Sequence, residues 1–130
     1  MRVFVDTSAL YALLDRDDAG HERALRARDL LLGEELLTHS YVVVETVSLV
    51  RRRLGSDAAA RLIDEMLPAL NIVDVDETLR ARAFAAFRAA VTSHVSIVDR
   101  TSFELMRALG ISRAYALDAD FATEGFQLVS

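Results

Sequence analysis

The sequence predicts an α/β fold, a three-layer α/β/α sandwich around a central parallel sheet. Three observations predict it. Short apolar, β-branched runs alternate with segments of helical periodicity along the chain. The first run, Arg2 to Val5, is continuously apolar after its arginine, as a strand covered on both faces is. Two runs hand over directly to an aspartate, Asp6 and Asp118, where parallel strands open into a site at their carboxyl ends.

Taken in order, Arg2 to Ser8 forms the central strand and its exit, delivering the first carboxylate, and Ala9 to Asp15 the first helix. Arg16 to Gly20 is a polar loop, His21 to Leu32 a helix closed by Gly33, and Leu36 to Thr38 a short strand. In Tyr41 to Val50, propensity and punctuation disagree. Val42, Val43, Val44, Thr46 and Val47 favour a strand. Ser40 as N-cap, Arg51 to Arg53 as a basic last turn and Gly55 beyond favour a helix, and a buried helix is expected. Ser56 caps the next helix, with Leu62, Ile63, Met66 and Leu67 at helical spacing up to Pro68. Asn71 to Val75 is a third strand. Asp76 caps a helix whose Leu79, Ala83, Phe84, Phe87 and Val91 make one apolar stripe. A helix over Val98 to Leu109 ends at Gly110, followed by a strand at Ala114 to Leu117, a helical turn at Ala119 to Thr123 and a last strand at Gln127 to Val129.

With 130 residues, 52% of them hydrophobic and one proline, the chain can bury a sizeable core and is expected to form a single domain over residues 1–130. No repeat or linker interrupts it. The absence of cysteine excludes disulfides and thiolate metal sites. No apolar run approaches the roughly 18 residues of a membrane span, and the amino terminus lacks the pattern of a signal peptide. A soluble, cytoplasmic protein without a membrane partner is expected. The net charge of -5 argues against binding nucleic acid through bulk positive potential. It leaves open an enzyme that holds cations among its own carboxylates. All 15 basic residues are arginine, which removes any mechanism that needs a lysine.

A few acids stand out by their surroundings. Asp6, between a strand and a helix, is equally compatible with a helix cap and with a ligand. Glu45 lies in the most apolar helix, where a buried ionised carboxylate needs a partner and a site role is favoured, unless Glu45 faces solvent or pairs with an arginine such as Arg52. Asp99, three residues after Ser96, matches a capping box and taken alone is helix punctuation. Asp118 repeats the handover at Asp6, and Asp120 reads as a solvent-facing acid in a first turn.

Jointly they say more. In a parallel sheet Asp6, Asp99 and Asp118 can gather along one edge, with Glu45 brought in from a neighbouring helix. Carboxylates packed together repel one another, and a divalent cation resolves the conflict. Ligands that are all oxygen point to Mg²⁺ or Mn²⁺. The expected site is therefore Asp6, Glu45, Asp99 and Asp118, with Asp6, Asp99 and Asp118 on the metal. His21, His39 and His94 have no metal-ligand spacing and read as surface or loop residues. Arg51 to Arg53 can contact a phosphate backbone, but read first as a helix's solvated last turn. No Gly-rich phosphate loop, GxSxG elbow or HExxH helix is present.

Val3-Phe4-Val5-Asp6-Thr7-Ser8, Val44-Glu45-Thr46, Ser96-Ile97-Val98-Asp99 and Leu117-Asp118-Ala119-Asp120-Phe121, in that order, resemble the PIN-domain ribonucleases. The likeness extends to the VapC toxins of bacterial toxin-antitoxin pairs and spans essentially the whole chain. It implies a PIN-like sandwich and Mg²⁺- or Mn²⁺-dependent cleavage of RNA phosphodiesters by an endoribonuclease. Asp6, Glu45, Asp99 and Asp118 match the family's four acids, Thr7 or Ser8 a hydroxyl supporting the first, and Asp120 and Ser102 outer groups. The resemblance also implies a homodimer and a small cognate antitoxin. The alternative from another class is a non-catalytic PIN-like module that binds protein or RNA. A phospho-receiver is disfavoured by the lack of lysine, and a haloacid-dehalogenase-type Asp-x-Asp by Ser8.

Overall fold

In a computed structural model, which describes residues 1–129, the chain opens with β1 (Arg2–Val5), α1 (Thr7–Leu14), α2 (His21–Asp29) and β2 (Glu35–His39). It continues through α3 (Ser40–Leu54), α4 (Ser56–Arg61), a π-helical turn and a short 3-10 turn to β3 (Asn71–Val73). Then come α5 (Glu77–Ala89), α6 (Ile97–Leu109), β4 (Arg113–Tyr115), α7 (Asp120–Thr123) and β5 (Gln127–Leu128). The five strands form one sheet in the order β3-β2-β1-β4-β5, every pair parallel.

β1 is central, and its side chains show that both faces are covered. Val3, Phe4 and Val5 are all buried, yet successive side chains of a strand point to opposite faces. On one face the Phe4 ring lies 5.7 Å from that of His39 and 6.1 Å from Phe121, and Phe121 meets Phe103 of α6 edge-on at 4.9 Å. On the other, Val5, Leu36 and Tyr115 face Leu10 and Leu13 of α1, Leu31 and Met66 around an apolar cavity of about 250 Å³. Burying each such side chain contributes about 1.5–3 kcal/mol. Helices thus flank the sheet on both sides, giving the three-layer α/β/α arrangement. No helix among the described residues is long and apolar enough to cross a membrane.

Punctuation prevails over β-propensity at α3, which runs to Leu54 and stops at Gly55 with φ of 94°. Its N-cap is His39 rather than Ser40, because His39 Nδ1 accepts from Val42 N–H. Nor is it buried all round: Val42, Thr46 and Val50 make one buried stripe while Val44 is 65% exposed. Ser56 opens α4 without a side-chain cap. α2 ends at Asp29, three residues early, because Leu30 and Leu31 turn back to the carbonyls of Ala27 and Arg28.

Two strands are shorter than their apolar runs, and in both a serine has taken the next N–H. Ser40 Oγ accepts from Val75 N–H beyond β3, and Ser8 Oγ accepts from Leu117 N–H beyond β4. The α5 stripe is covered only in part. Leu79 and Ala83 are buried, whereas Phe84, Phe87 and Val91 stand 49%, 46% and 87% exposed.

Candidate active site

The chain leaves β1 toward β2 on one side and returns to β4 on the other, so the strand order reverses between β1 and β4. A parallel sheet leaves a crevice at that point, outside the carboxyl ends of its strands. Asp6 stands at the end of β1 and Asp118 just past β4, joined by Asp6 N–H donating to the Tyr115 carbonyl at 3.0 Å.

Asp6 is both of the things its sequence context allows. It caps α1, with Oδ2 accepting from Ser8 N–H at 3.1 Å and Ser8 Oγ–H at 2.7 Å. It also lines a cleft of about 430 Å³ with Glu45, Asp99 and Asp118. Ser8 is thus the hydroxyl that supports Asp6, and since its oxygen accepts from Leu117 N–H it ties the two strand ends together. Thr7 does something else. Thr46 Oγ1 donates to the Val42 carbonyl at 2.7 Å, so Thr7 Oγ1 donates to Thr46 at 2.9 Å. That buried bond fixes α1 against α3, and hence Asp6 relative to Glu45, Thr46's neighbour.

Asp99 stands in the first turn of α6. Ser96 Oγ accepts from Asp99 N–H at 3.1 Å, the first half of a capping box. The return bond from Ser96 N–H to the carboxylate is not made among the described residues, and the carboxylate faces the cleft instead. Asp118 Oδ1 accepts from Asp120 N–H at 2.9 Å, a tight turn that swings Asp120 back. One carboxylate oxygen each of Asp99, Asp118 and Asp120 lies within 4.8 Å of the other two, close enough to share a cation. Asp120 is therefore no free solvent-facing acid, its side chain being 19% exposed and bonded to His94 Nε2 at 3.1 Å. Asp6 lies outside this group of three but in the same cleft.

Crowding shows in the acids' proton affinities. Burial, reinforced by Glu45 and Asp118 and opposed by the Ser8 hydrogen bonds, raises the Asp6 carboxyl to about 6. Burial also raises Asp99, to about 7, with Asp6, Asp118, Glu45 and Asp120 adding to it. Two carboxyls held back from ionising by burial and by the charges of neighbouring acids form a site that lacks a positive charge. An all-oxygen donor set of this kind fits a hard divalent cation.

The histidine reading needs correction. His21 bonds the Ala12 carbonyl and His94 is exposed, but His39 is fully buried at the end of β2. Its Nδ1 accepts from Val42 N–H, which places the proton on Nε2, and Nε2–H donates to Ser102 Oγ at 2.9 Å. Ser102 Oγ–H in turn donates to the Val98 carbonyl at 3.1 Å. The residue expected as an outer group of the site thus binds the N-terminus of α3 to the first turn of α6, beside Asp99. Sequence reasoning also missed Tyr11, and it read Arg53 with Arg51 and Arg52 first as a solvated last turn, whereas Tyr11 and Arg53 both line the cleft. The available signal was spacing, for Arg53 falls two i+4 steps after Glu45.

A PIN domain family model matches residues 3–125. The 23S rRNA-specific endonuclease VapC20 of Mycobacterium tuberculosis is 35% identical over 127 residues, 95% of each chain. Its crystal structure, described as that of a sarcin-ricin loop cleaving toxin, superposes with a TM-score of 0.84 over 95% of both chains. The fold is shared with VapBC2 from Rickettsia felis, bound to a DNA fragment from their promoter, at a TM-score of 0.71 and 14% identity over 98% of this chain and 97% of that one. FitAcB from Neisseria gonorrhoeae shares it at 0.73 and 19% identity, over 100% and 97%.

Proposed function

The chain belongs to the PIN domain family, and on that premise we propose that it is a metal-dependent endoribonuclease. The observation that carries this reading is the convergence of acids from β1, α3, α6 and the β4 exit on one cleft. Asp6, Asp99 and Asp118 would hold Mg²⁺ or Mn²⁺, Asp120 joining from the turn it shares with Asp118 and Glu45 acting directly or through water. The ion supplies a Lewis acid for the phosphate and lowers the pKa of a water.

The protein's own groups do the rest. Ser8 fixes the Asp6 carboxylate by two hydrogen bonds. The Thr7–Thr46 bond holds the wall that carries Glu45 against the helix that Asp6 caps. Asp99 must be ionised to bind a cation, so Mn²⁺ affinity in a titration should rise with pH toward about 7.

The relative's named substrate makes sarcin-ricin loop RNA the first to test. We propose further that the chain is the toxin of a toxin-antitoxin pair, neutralised by a small cognate antitoxin. A homodimer joined through the exposed Phe84, Phe87 and Val91 belongs to the same reading, and light scattering at the monomer mass would remove it.

Purified protein should cleave the labelled RNA with Mg²⁺ or Mn²⁺ and stop on chelation. Mn²⁺ alone should raise its melting temperature, since an ion at a hundred times its Kd stabilises by about 2.7 kcal/mol. Neither cleavage nor a thermal shift at millimolar metal would leave a non-catalytic binding module as the better account. Asp120→Asn should weaken Mn²⁺ binding by roughly tenfold. Unchanged affinity in a titration would remove Asp120 from the ion.

A further inference from the structure

We propose that Arg53 forms a phosphate-binding subsite for the RNA strand at the outer end of the acidic cleft. The proposal rests on the endoribonuclease reading above. The cleft is lined by Asp6, Asp18, Glu45, Asp99 and Asp118, and Arg53 is the one basic residue among its lining. A nucleic-acid backbone meets repulsion from those carboxylates, in a protein whose net charge of -5 offers no general attraction. Some cation beyond the metal must receive a flanking phosphate.

Position and preparation both single out Arg53. Glu45, Leu49 and Arg53 follow one another at i, i+4 and i+8 on α3, and all three line the cleft. Arg53 therefore lies about 12 Å along the helix from Glu45, on the path of a strand leaving the acids. Its guanidinium sits 5.6 Å from the centroid of the Tyr11 ring. Tyr11 is only 8% exposed, and its hydroxyl donates to Asp15 Oδ2 at 2.6 Å, so the platform beneath the arginine is fixed. A guanidinium carries five N–H donors, so one turned to the Tyr11 hydroxyl leaves others for contact with a phosphate.

Arg100, Arg107 and Arg113 are committed to glutamates, whereas none of the ion pairs among the described residues involves Arg53, and the Asp15 carboxylate near it is held by the Tyr11 hydroxyl. A favourable charge in a helix's last turn would account for Arg51 and Arg52 equally well. Those two do not line the cleft, so the helix dipole leaves the seat on Tyr11 unexplained.

The test measures binding of fluorescein-labelled sarcin-ricin stem-loop RNA across a KCl series, in an Asp99→Asn background that prevents cleavage. Adding Arg53→Ala should weaken binding by roughly three- to tenfold. It should also reduce the slope of log K against log salt by about 0.7, the value for one single-strand phosphate. Arg53→Lys should keep the slope, and Arg52→Ala should match the background. In the otherwise wild-type protein, Arg53→Ala should raise KM and leave kcat within about twofold, as loss of uniform binding does.

Replacing backbone phosphates one at a time by uncharged methylphosphonates locates the contact. One position should weaken Arg53 protein and leave Arg53→Ala protein unaffected. If the wild type cleaves this RNA while Arg53→Ala matches it in affinity and slope, the subsite is wrong and the nuclease reading stands. A wild type that neither binds nor cleaves any RNA defeats both.

Discussion

Asp99→Asn is expected to lower metal-dependent RNA cleavage at least about a hundredfold, while making the metal-free protein more stable. The two effects share one cause. Asp99 is pushed up to about 7 by burial and by Asp6, Asp118, Glu45 and Asp120, from an ordinary value of 3.8. Between those values the folded chain keeps a proton that the unfolded chain gives up, so stability falls as pH rises through the window and stays low above about 7. Asparagine removes that penalty. Discounted for solvent near the cleft mouth, the gain at pH 8 should be about 1–3 kcal/mol, and little should be gained at pH 4. Urea melts of metal-free protein at the two pH values measure it. Added Mn²⁺ should close the gap by stabilising the wild type more than the variant. A variant less stable than wild type at pH 8, or one that still cleaves, would show that Asp99 is helix punctuation after all.

The acids differ in how far the sequence reveals them. Asp6 and Asp118 are legible because a parallel strand's apolar run ends where its carboxyl end opens, and both runs stop at an aspartate. Glu45 is legible only as an acid among apolar neighbours, for Val44 beside it is exposed and its place in the cleft comes from the packing of α3 on α1. Asp120 is not, since its return toward Asp118 depends on a single hydrogen bond to Asp118 Oδ1. The exits of β3 and β4 are hidden for a similar reason: serines 35 and 109 residues away capture the next N–H. Periodicity marks the apolar face of α5 but says nothing of what lies against it, and so Phe84 and Phe87 look like core until the sheet is in place. Histidine is the extreme case. Its composition class is polar, yet a residue at the seam between a strand and a helix can be buried whole when cap and partner satisfy both ring nitrogens.

Removing that ring should be costly. His39→Ala deletes the cap of α3, worth about 1 kcal/mol, and empties a fully buried site, for a total loss of about 2–4 kcal/mol. His39→Asn restores a cap acceptor but not the link to Ser102, and should recover roughly half of it. Cleavage should fall further than folding alone explains in both variants, because the His39–Ser102 link sets the α6 turn that carries Asp99. The pH profile separates this role from mere filling. Burial lowers the His39 pKa from 6.5 to about 4, so the unfolded chain binds the extra proton between those values. His39 thus gives stability that is full above about 6.5 and lost as pH falls toward about 4. Asp6 and Asp99 act in the opposite sense over nearly the same range, losing stability as pH rises toward about 6 and about 7. With two carboxyls set against one imidazole, the metal-free wild type should therefore lose stability as pH rises between about 4 and 7. His39→Asn should steepen that fall, and Asp99→Asn should bring the profile close to flat, with Asp6 and His39 then opposing one another. Urea midpoints that follow one common slope in all three proteins would mean that these groups do not titrate against one another, and that the crowded cleft does not shape the stability of the fold.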